Sequence, residues 1–215
     1  MANFGFKRLC VVNPYDVAFR EARSAVGASD LLDKAEEYKT VAEAVADCKL
    51  VVGTTAVRDR VLRHRVERLD ERSGAAIRKE LRSGRVAILF GSEKFGLSND
   101  DFSHCHWLLT IPTREKQISM NLGQAVAVCL YEIARAEPGE LVSQDFERAT
   151  AGDAEKIAGI LLEALHKSGY VKPGNEVMCE KKVRSLILRL GLSPLDAKVL
   201  LGMVRQIVWK LRQTG

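Results

Sequence analysis

Short apolar runs alternate with helical patterns over the first 136 residues of the chain. Each run is apolar almost throughout, which is typical of parallel strands covered by helices on both faces. The runs that predict strands are KRLCVVN (7–13), KLVVGTT (49–55), RVAILFGSE (85–93) and HWLLTIP (106–112). The segments with helical spacing are DLLDKAEEYKTVAEAVADC (30–48) and residues 74–84, 99–104 and 121–136. The pattern predicts an α/β domain with a mostly parallel sheet over residues 1–136.

The pattern changes after residue 136. Residues 137–155 hold six acids, one Arg and a Pro-Gly pair, which indicates an acidic linker over residues 137–153. Helical spacing without a strand candidate follows, and Ser193, Pro194 and Asp196 fit the start of its last helix. The segments concerned are 154–167, 176–190 and 194–212. We therefore expect a small all-helical C-terminal extension over residues 154–215.

Three of the predicted strands end in stretches that contain Gly and polar residues. Ligands bind at the carboxyl ends of strands in open α/β sheets, so these stretches predict a cofactor cleft. On spacing alone, an ordinary turn with a surface Glu93 explains the second stretch equally well. In the third stretch, one of Ser119 and Asn121 is needed to cap the following helix, and the other is free to bind. The stretches are VVGTTAV (51–57), LFGSEKFGLSNDDF (89–102) and LLTIPTREKQISMNLGQAVAV (108–128).

Positive charge is concentrated in two parts of the chain. The formal net charge is +5 and the pI is about 9.0. Residues 56–85 hold ten Lys or Arg against five acids, and residues 176–212 hold eight against three. Two separate basic stretches favour a phosphate-backbone partner. The residues expected to contact it are Arg58, Arg60, Arg63, Arg65 and Arg68, and, in the extension, Lys181, Lys182, Arg184 and Arg189.

The remaining sequence features narrow the class of protein. No apolar run approaches the length of a membrane span, and no signal peptide is recognised at the N-terminus. The five cysteines include no C-x-x-C pair, so free thiols in a reducing cytoplasm are expected. His104, Cys105 and His106 are consecutive, and side chains alternate between the two faces of a strand, so they cannot converge on one ion. We expect no metal site.

The second and third stretches, in this order and attached to LVVGTT (50–55), resemble motifs of the SpoU branch of the SPOUT RNA methyltransferases. The resemblance covers about residues 5–136. It implies a 2′-O-ribose methyltransferase that uses S-adenosyl-L-methionine, with a C-terminal trefoil knot and a homodimeric assembly. The helical extension, with LLGMVRQIVW (200–209), resembles that of the TrmJ subgroup, which methylates nucleotide 32 of the tRNA anticodon loop.

The resemblance also implies roles for individual residues. Ser119 and Asn121 would face both the cofactor and the target ribose. The positions that match the catalytic pocket are Glu93, Ser119 and Asn121. The positions that match the cofactor pocket are Thr54, Thr55, Gly91, Gly96, Ile111, Ser119, Met120 and Asn121.

The start of the chain departs from the family pattern. The family's first motif places an Asn and an Arg on a helix that should precede FGF (4–6), whereas this chain begins MANFGFKRLCVVNP. The first strand and most of the first helix therefore have no counterpart. Because the absent Arg is the family's candidate for activating the ribose hydroxyl, we expect the chain as written to be catalytically impaired.

The motifs of the first 136 residues do not indicate which RNA is the substrate. Transfer RNA is the leading expectation, and ribosomal RNA is the alternative within the same class. A different class of function, a non-catalytic RNA-binding dimer on the same fold, stays open at this point.

Overall fold

A four-stranded parallel sheet lies at the centre of the protein. The computed structural model describes residues 1–14, 29–56, 64–114, 120–135 and 147–213. The strand order in the sheet is β4-β6-β3-β5, and β1 and β2 form a separate parallel pair. Parallel pairing of all six described strands confirms the predicted type of sheet. The strands are β1 Cys10–Val12, β2 Glu36–Tyr38, β3 Cys48–Thr54, β4 Val66–Arg68, β5 Arg85–Leu89 and β6 Trp107–Thr110.

The helices follow the strands and then fill the C-terminal part of the chain. The last three are close to the helices that the sequence predicts. The described helices are α1 Ser29–Asp33, α2 Val41–Val45, α3 Glu71–Ser83, α4 Asn99–Ser103, α5 Leu122–Ala134, α6 Ala151–Lys167, α7 Glu176–Leu190 and α8 Pro194–Gln213.

The central strand β3 is buried on both faces. Val51 packs on one side against residues of α2, α4 and β6, and Val52 packs on the other against residues of α3 and α5. Neither valine has any exposed surface. This alternation is the ordinary consequence of successive side chains pointing to opposite faces of a strand. It confirms the prediction that helices cover both faces of the sheet.

The C-terminal helices pack directly on the sheet. Ala151 of α6 and Leu188 of α7 are buried in the same apolar cluster as Val51. The Gly152 amide donates to the Ala46 carbonyl at 2.9 Å. A Cβ atom at Gly152 would lie 2.7 Å from that oxygen, so only glycine allows α6 to approach so closely. Helix α6 thus begins three residues before the predicted helical segment and covers one face of the sheet.

Two ion pairs join the segment before α6 to the sheet domain. Lys49 Nζ lies 2.8 Å from Glu147 Oε1, and Arg148 Nε lies 2.8 Å from Glu80 Oε1. The described end of the predicted linker is therefore held against the sheet domain.

The prediction of one helical segment over residues 30–48 is wrong. The structure places β2 between α1 and α2, and Glu36 and Glu37 of β2 pair with β1 although Glu has a high helix propensity. Arg8 Nε donates to Glu36 Oε1 at 2.7 Å, and Arg8 Nη2 donates to the Tyr38 hydroxyl at 3.1 Å. A capping box at Thr40 and Glu43 then starts α2. These contacts between distant parts of the chain override the local preference for a helix.

Strand β4 was not predicted. Its three residues, Val66–Arg68, include two charged residues and form the edge of the sheet beside β6. A three-residue edge strand leaves no clear apolar period in the sequence.

All five cysteines are free thiols, as predicted. Three of them are buried, and burial raises the pKa of Cys48 to about 12 and that of Cys129 to about 11. These two groups therefore stay protonated at neutral pH. Among the described helices, none combines the length and the apolarity that crossing a bilayer requires.

His106 is bonded to the central strand β3, and its protonation should destabilise the fold. Its Nδ1 accepts from the Val51 amide at 3.0 Å, and burial, together with the charge of Arg148, lowers its pKa to about 4. In the unfolded chain the imidazole takes up its proton near its ordinary pKa of 6.5. The free energy of unfolding therefore keeps its full value above pH 6.5. It falls by up to about 3 kcal/mol as the pH falls toward 4.

We predict that His106→Asn flattens this pH dependence. The asparagine oxygen can still accept from the Val51 amide but does not titrate. Urea unfolding of both proteins, above pH 6.5 and close to pH 4, measures the difference. Equal losses of stability in the two proteins would show that His106 does not cause the acid sensitivity.

Candidate active site

Three strand ends meet at one edge of the sheet, as the sequence predicts. Strand β3 lies between β5 and β6, so the carboxyl ends of these three parallel strands are neighbours. Thr54 Oγ1 donates to the Leu89 carbonyl at 2.8 Å, and the Thr55 amide donates to the Leu109 carbonyl at 2.9 Å. Both threonines are partly buried, and the edge offers backbone groups of three chain segments within one small region.

The loop after β5, residues 91–97, folds tightly back on itself. The Gly96 amide donates to the Ser92 carbonyl at 2.8 Å, and Gly96 has a φ of 65°, in the region that favours glycine. A Cβ atom at Gly91 would lie 2.0 Å from the Gly96 carbonyl carbon and 2.2 Å from the Leu97 nitrogen. Position 91 therefore requires glycine for a close approach within the loop, whereas a Cβ at Gly96 would meet open space.

The far end of this loop is fixed in the core. Leu97 is buried beside Phe102 and Cys105. Ser98 then starts α4 with the predicted capping box, in which the Asp101 amide donates to Ser98 Oγ at 3.1 Å. The two anchored ends leave Glu93 exposed at the tip of the loop.

Asn121 connects this loop to the third stretch. Its Oδ1 accepts from the Gln124 amide at 3.3 Å and caps α5, and its Nδ2 donates to Glu93 Oε1 at 3.5 Å. The structure therefore gives the capping role to Asn121 and brings two of the predicted catalytic residues together. At 3.5 Å this bond is longer than most hydrogen bonds in proteins. Ser119 lies outside the described residues.

The other predicted pocket residues border the same edge. Ile111 is partly buried against the cluster that contains Leu109, and Met120 is partly buried directly before Asn121. The 13-residue helix α5 directs its N-terminus, with its partial positive charge, to this region. The site thus combines backbone donors and acceptors, one carboxylate and one carboxamide, and these groups can hold a polar ligand and orient a hydroxyl group.

The predicted basic surface is described only in part. Arg58, Arg60 and Arg63 lie outside the described residues, and Arg65 pairs with Glu67. Lys181 pairs with Asp100 at 3.2 Å. Lys182 and Arg189 are exposed on α7, and Arg68 is exposed at the end of β4.

The expectation that Arg184 faces a phosphate backbone is wrong. Arg184 is buried and donates to Glu155, Glu180 and Ser103. No sequence pattern indicates its link to Ser103, because the two residues are 81 positions apart and share no motif.

The His104, Cys105 and His106 stretch has no metal-binding arrangement in the structure. His104 and Cys105 are buried, and His106 Nδ1 is engaged by the Val51 amide. Across the ranges that the structure describes, no three His, Cys, Asp or Glu side chains gather to form a candidate metal site.

Comparisons with known proteins agree with this architecture. The model of the SpoU rRNA methylase family matches residues 1–131. The tRNA (cytidine/uridine-2′-O-)-methyltransferase TrmJ of Cronobacter sakazakii is 34% identical over 219 residues, which cover 96% of this chain and 87% of that protein. The TrmJ protein of Escherichia coli is 32% identical over 215 residues, with 96% and 86% covered.

A solved structure extends the similarity to the fold of nearly the whole chain. The crystal structure of TrmJ from Z. mobilis ZM4 superimposes with a TM-score of 0.81 at 32% identity, and the match covers 96% of this chain and 89% of that one. Since the family model spans more than half of the sequence and the relatives match almost all of it, the chain belongs to the SpoU rRNA methylase family.

Proposed function

We propose that this protein transfers a methyl group from S-adenosyl-L-methionine to the 2′-hydroxyl of a ribose in tRNA. The observation that carries the proposal is the contact between Asn121 and Glu93 at the edge where the three strands end. The names of the relatives support tRNA as the substrate and cytidine or uridine as the target nucleotide. The resemblance of the helical extension supports nucleotide 32 of the anticodon loop.

The residues at the strand ends fit the cofactor. An adenosine needs backbone donors and acceptors at its base edge and close approach of the chain, which the turns at 54–56 and 91–96 and residue 111 can supply. When bound, S-adenosyl-L-methionine supplies a methyl group on a sulfonium, which needs no metal for transfer. The residues that would hold it are Thr54, Thr55, Gly91, Gly96, Ile111, Ser119, Met120 and Asn121.

Glu93, Ser119 and Asn121 would hold the target ribose. A carboxylate has two oxygens that accept several hydrogen bonds, so Glu93 can accept from a ribose hydroxyl while it accepts from Asn121. This would fix the hydroxyl oxygen in line with the methyl group, and positioning of this kind accounts for much of the rate of group-transfer enzymes.

We also propose the trefoil knot of the family and a homodimer. Strand β6 comes last in the chain among the described strands but lies inside the sheet, between β4 and β3, as a threaded C-terminal segment would. On α5, Val128 and Tyr131 are exposed, and Phe4 packs edge-on against Tyr131 with ring centroids 6.1 Å apart. This apolar surface supports a dimer contact along α5. Free thiols support a location in the reducing cytoplasm.

Ribosomal RNA is the second candidate substrate, because the description of the matching family names rRNA. A panel of purified tRNA and rRNA fragments, incubated with radiolabelled cofactor and mapped by mass spectrometry, tests the choice. We expect a single 2′-O-methylated pyrimidine in tRNA. Methylation of rRNA alone would replace the proposed substrate, and binding without transfer to any RNA would favour the non-catalytic alternative.

We predict that Asn121→Asp lowers kcat by about a hundredfold or more, as expected when a positioned polar group is lost. The aspartate keeps a cap for the Gln124 amide but loses the amide group that donates to Glu93. The melting temperature should therefore stay close to that of the wild type. The matched control is Asn175→Asp, at a helix start where no side-chain cap bond is formed. Wild-type kcat in Asn121→Asp would show that the contact with Glu93 is not needed.

Gly91→Ala should weaken binding of S-adenosyl-L-homocysteine, the demethylated cofactor, by roughly tenfold to a hundredfold. The added methyl group collides with the backbone of Gly96 and Leu97, so the loop must open or shift, and such overpacking typically costs about 1–3 kcal/mol. Isothermal titration calorimetry measures the binding. Gly159→Ala is the control, because a Cβ there meets nothing within 4 Å and lies on the exposed side of α6. Unchanged affinity in Gly91→Ala would place the cofactor away from this loop.

A further inference from the structure

Helix α7 of the C-terminal extension is bonded to the short helix α4 of the sheet domain. The Arg184 Nη1 atom donates to Ser103 Oγ at 3.0 Å, with Arg184 7% exposed and Ser103 2% exposed. Ser185 Oγ donates to the Ser103 carbonyl at 3.4 Å, and Lys181 Nζ lies 3.2 Å from Asp100 Oδ1. Lys181, Arg184 and Ser185, whose spacing places them on one side of α7, therefore contact both ends of α4.

The guanidinium of Arg184 is held in one orientation. Its Nε and Nη2 atoms donate to the two carboxylate oxygens of Glu155 at 2.8 and 3.2 Å, and Nη2 also donates to Glu180 Oε1 at 2.7 Å. This forked geometry fixes a planar group in a way that a lysine ammonium cannot. The remaining nitrogen, Nη1, is thereby directed at Ser103.

Helix α4 needs such support. It has only five residues, too few to be stable by themselves in water. Ser98 joins it without a spacer to the loop 91–97, and Leu97 and Phe102 share an apolar cluster with Leu188 of α7. Any shift of α4 therefore moves the anchored end of the loop that carries Glu93.

We propose that Arg184 is a positioning residue for methyl transfer. It holds α4 through Ser103 and so fixes the loop 91–97 with Glu93 opposite Asn121. The helical extension then acts in the chemical step as well as in any contact with RNA. This inference rests on the proposed function, because it assigns Arg184 to the same site.

The first test is steady-state kinetics of the full chain with tRNA and S-adenosyl-L-methionine. Arg184→Met and Ser103→Ala should each lower kcat, by about tenfold to a hundredfold for the arginine, because small displacements of reacting groups are costly. The KM for tRNA should stay near the wild-type value. Arg184→Lys should restore the melting temperature toward that of the wild type, since the charge toward Glu155 and Glu180 is kept, but should not restore kcat.

The control is Glu163→Gln, which removes the ion pair between Glu163 and Arg212 at 2.7 Å within the extension. This pair joins α6 to α8 and has no contact with α4, so kcat should not change. If kcat follows the melting temperature in all four variants, Arg184 has only a structural role and the proposal is wrong. If the wild type transfers no methyl group to any RNA, the proposed function fails first and the inference falls with it.

Hydrogen–deuterium exchange tests the link without any activity. Amide exchange over residues 91–103 should be faster in Arg184→Met and Ser103→Ala than in the wild type, and unchanged in Glu163→Gln. An active wild type whose exchange over 91–103 is the same in Arg184→Met would overturn the inference and leave the proposed function intact.

Discussion

Burial of β3 on both faces is the constraint on which the rest of the structure depends. A strand with no exposed surface at Val51 and Val52 must pair on both sides and must be covered above and below. Pairing is provided by β5 and β6. Helices α3 and α5 cover one face, and α2, α4, α6 and α7 cover the other. At roughly 25 cal/mol per Å² of apolar area, this cover is a large part of the stability of the sheet.

The same constraint joins the C-terminal helices to the candidate site. Because Ala151 and Leu188 complete the cluster around Val51, α6 and α7 lie beside α4, and Arg184 reaches Ser103. Parallel strands also end at one edge, so the arrangement that buries β3 places Thr54, Gly91 and Ile111 near one another. The core and the candidate site are therefore two results of one packing arrangement.

Much of the fold and of the candidate site could be predicted from the sequence. Continuous apolar runs indicate buried strands, and the Gly-containing stretches at their carboxyl ends indicate where a ligand can bind. The helices of the extension were also clear, because their apolar spacing is regular. The failures have a common physical cause. The sequence of β2 has a helical pattern. The segment forms a strand because Arg8, which is far away in sequence, binds Glu36 and Tyr38. The sequence predicts that Arg184 is a surface cation, because its partners Glu155 and Ser103 are distant in sequence and only the fold brings them to it. The double role of Asn121, as helix cap and as partner of Glu93, is likewise visible only in three dimensions.

The central claim is that one cofactor site lies where β3, β5 and β6 end. A crystal structure of the protein with S-adenosyl-L-homocysteine tests this claim most directly. The account predicts an adenosine in contact with the backbone of residues 54–56, 91–96 and 111, with the side chains of Glu93 and Asn121 beside the open position for a ribose. An adenosine bound elsewhere, for example in the apolar groove lined by Leu165, Tyr170 and Met178, would contradict it.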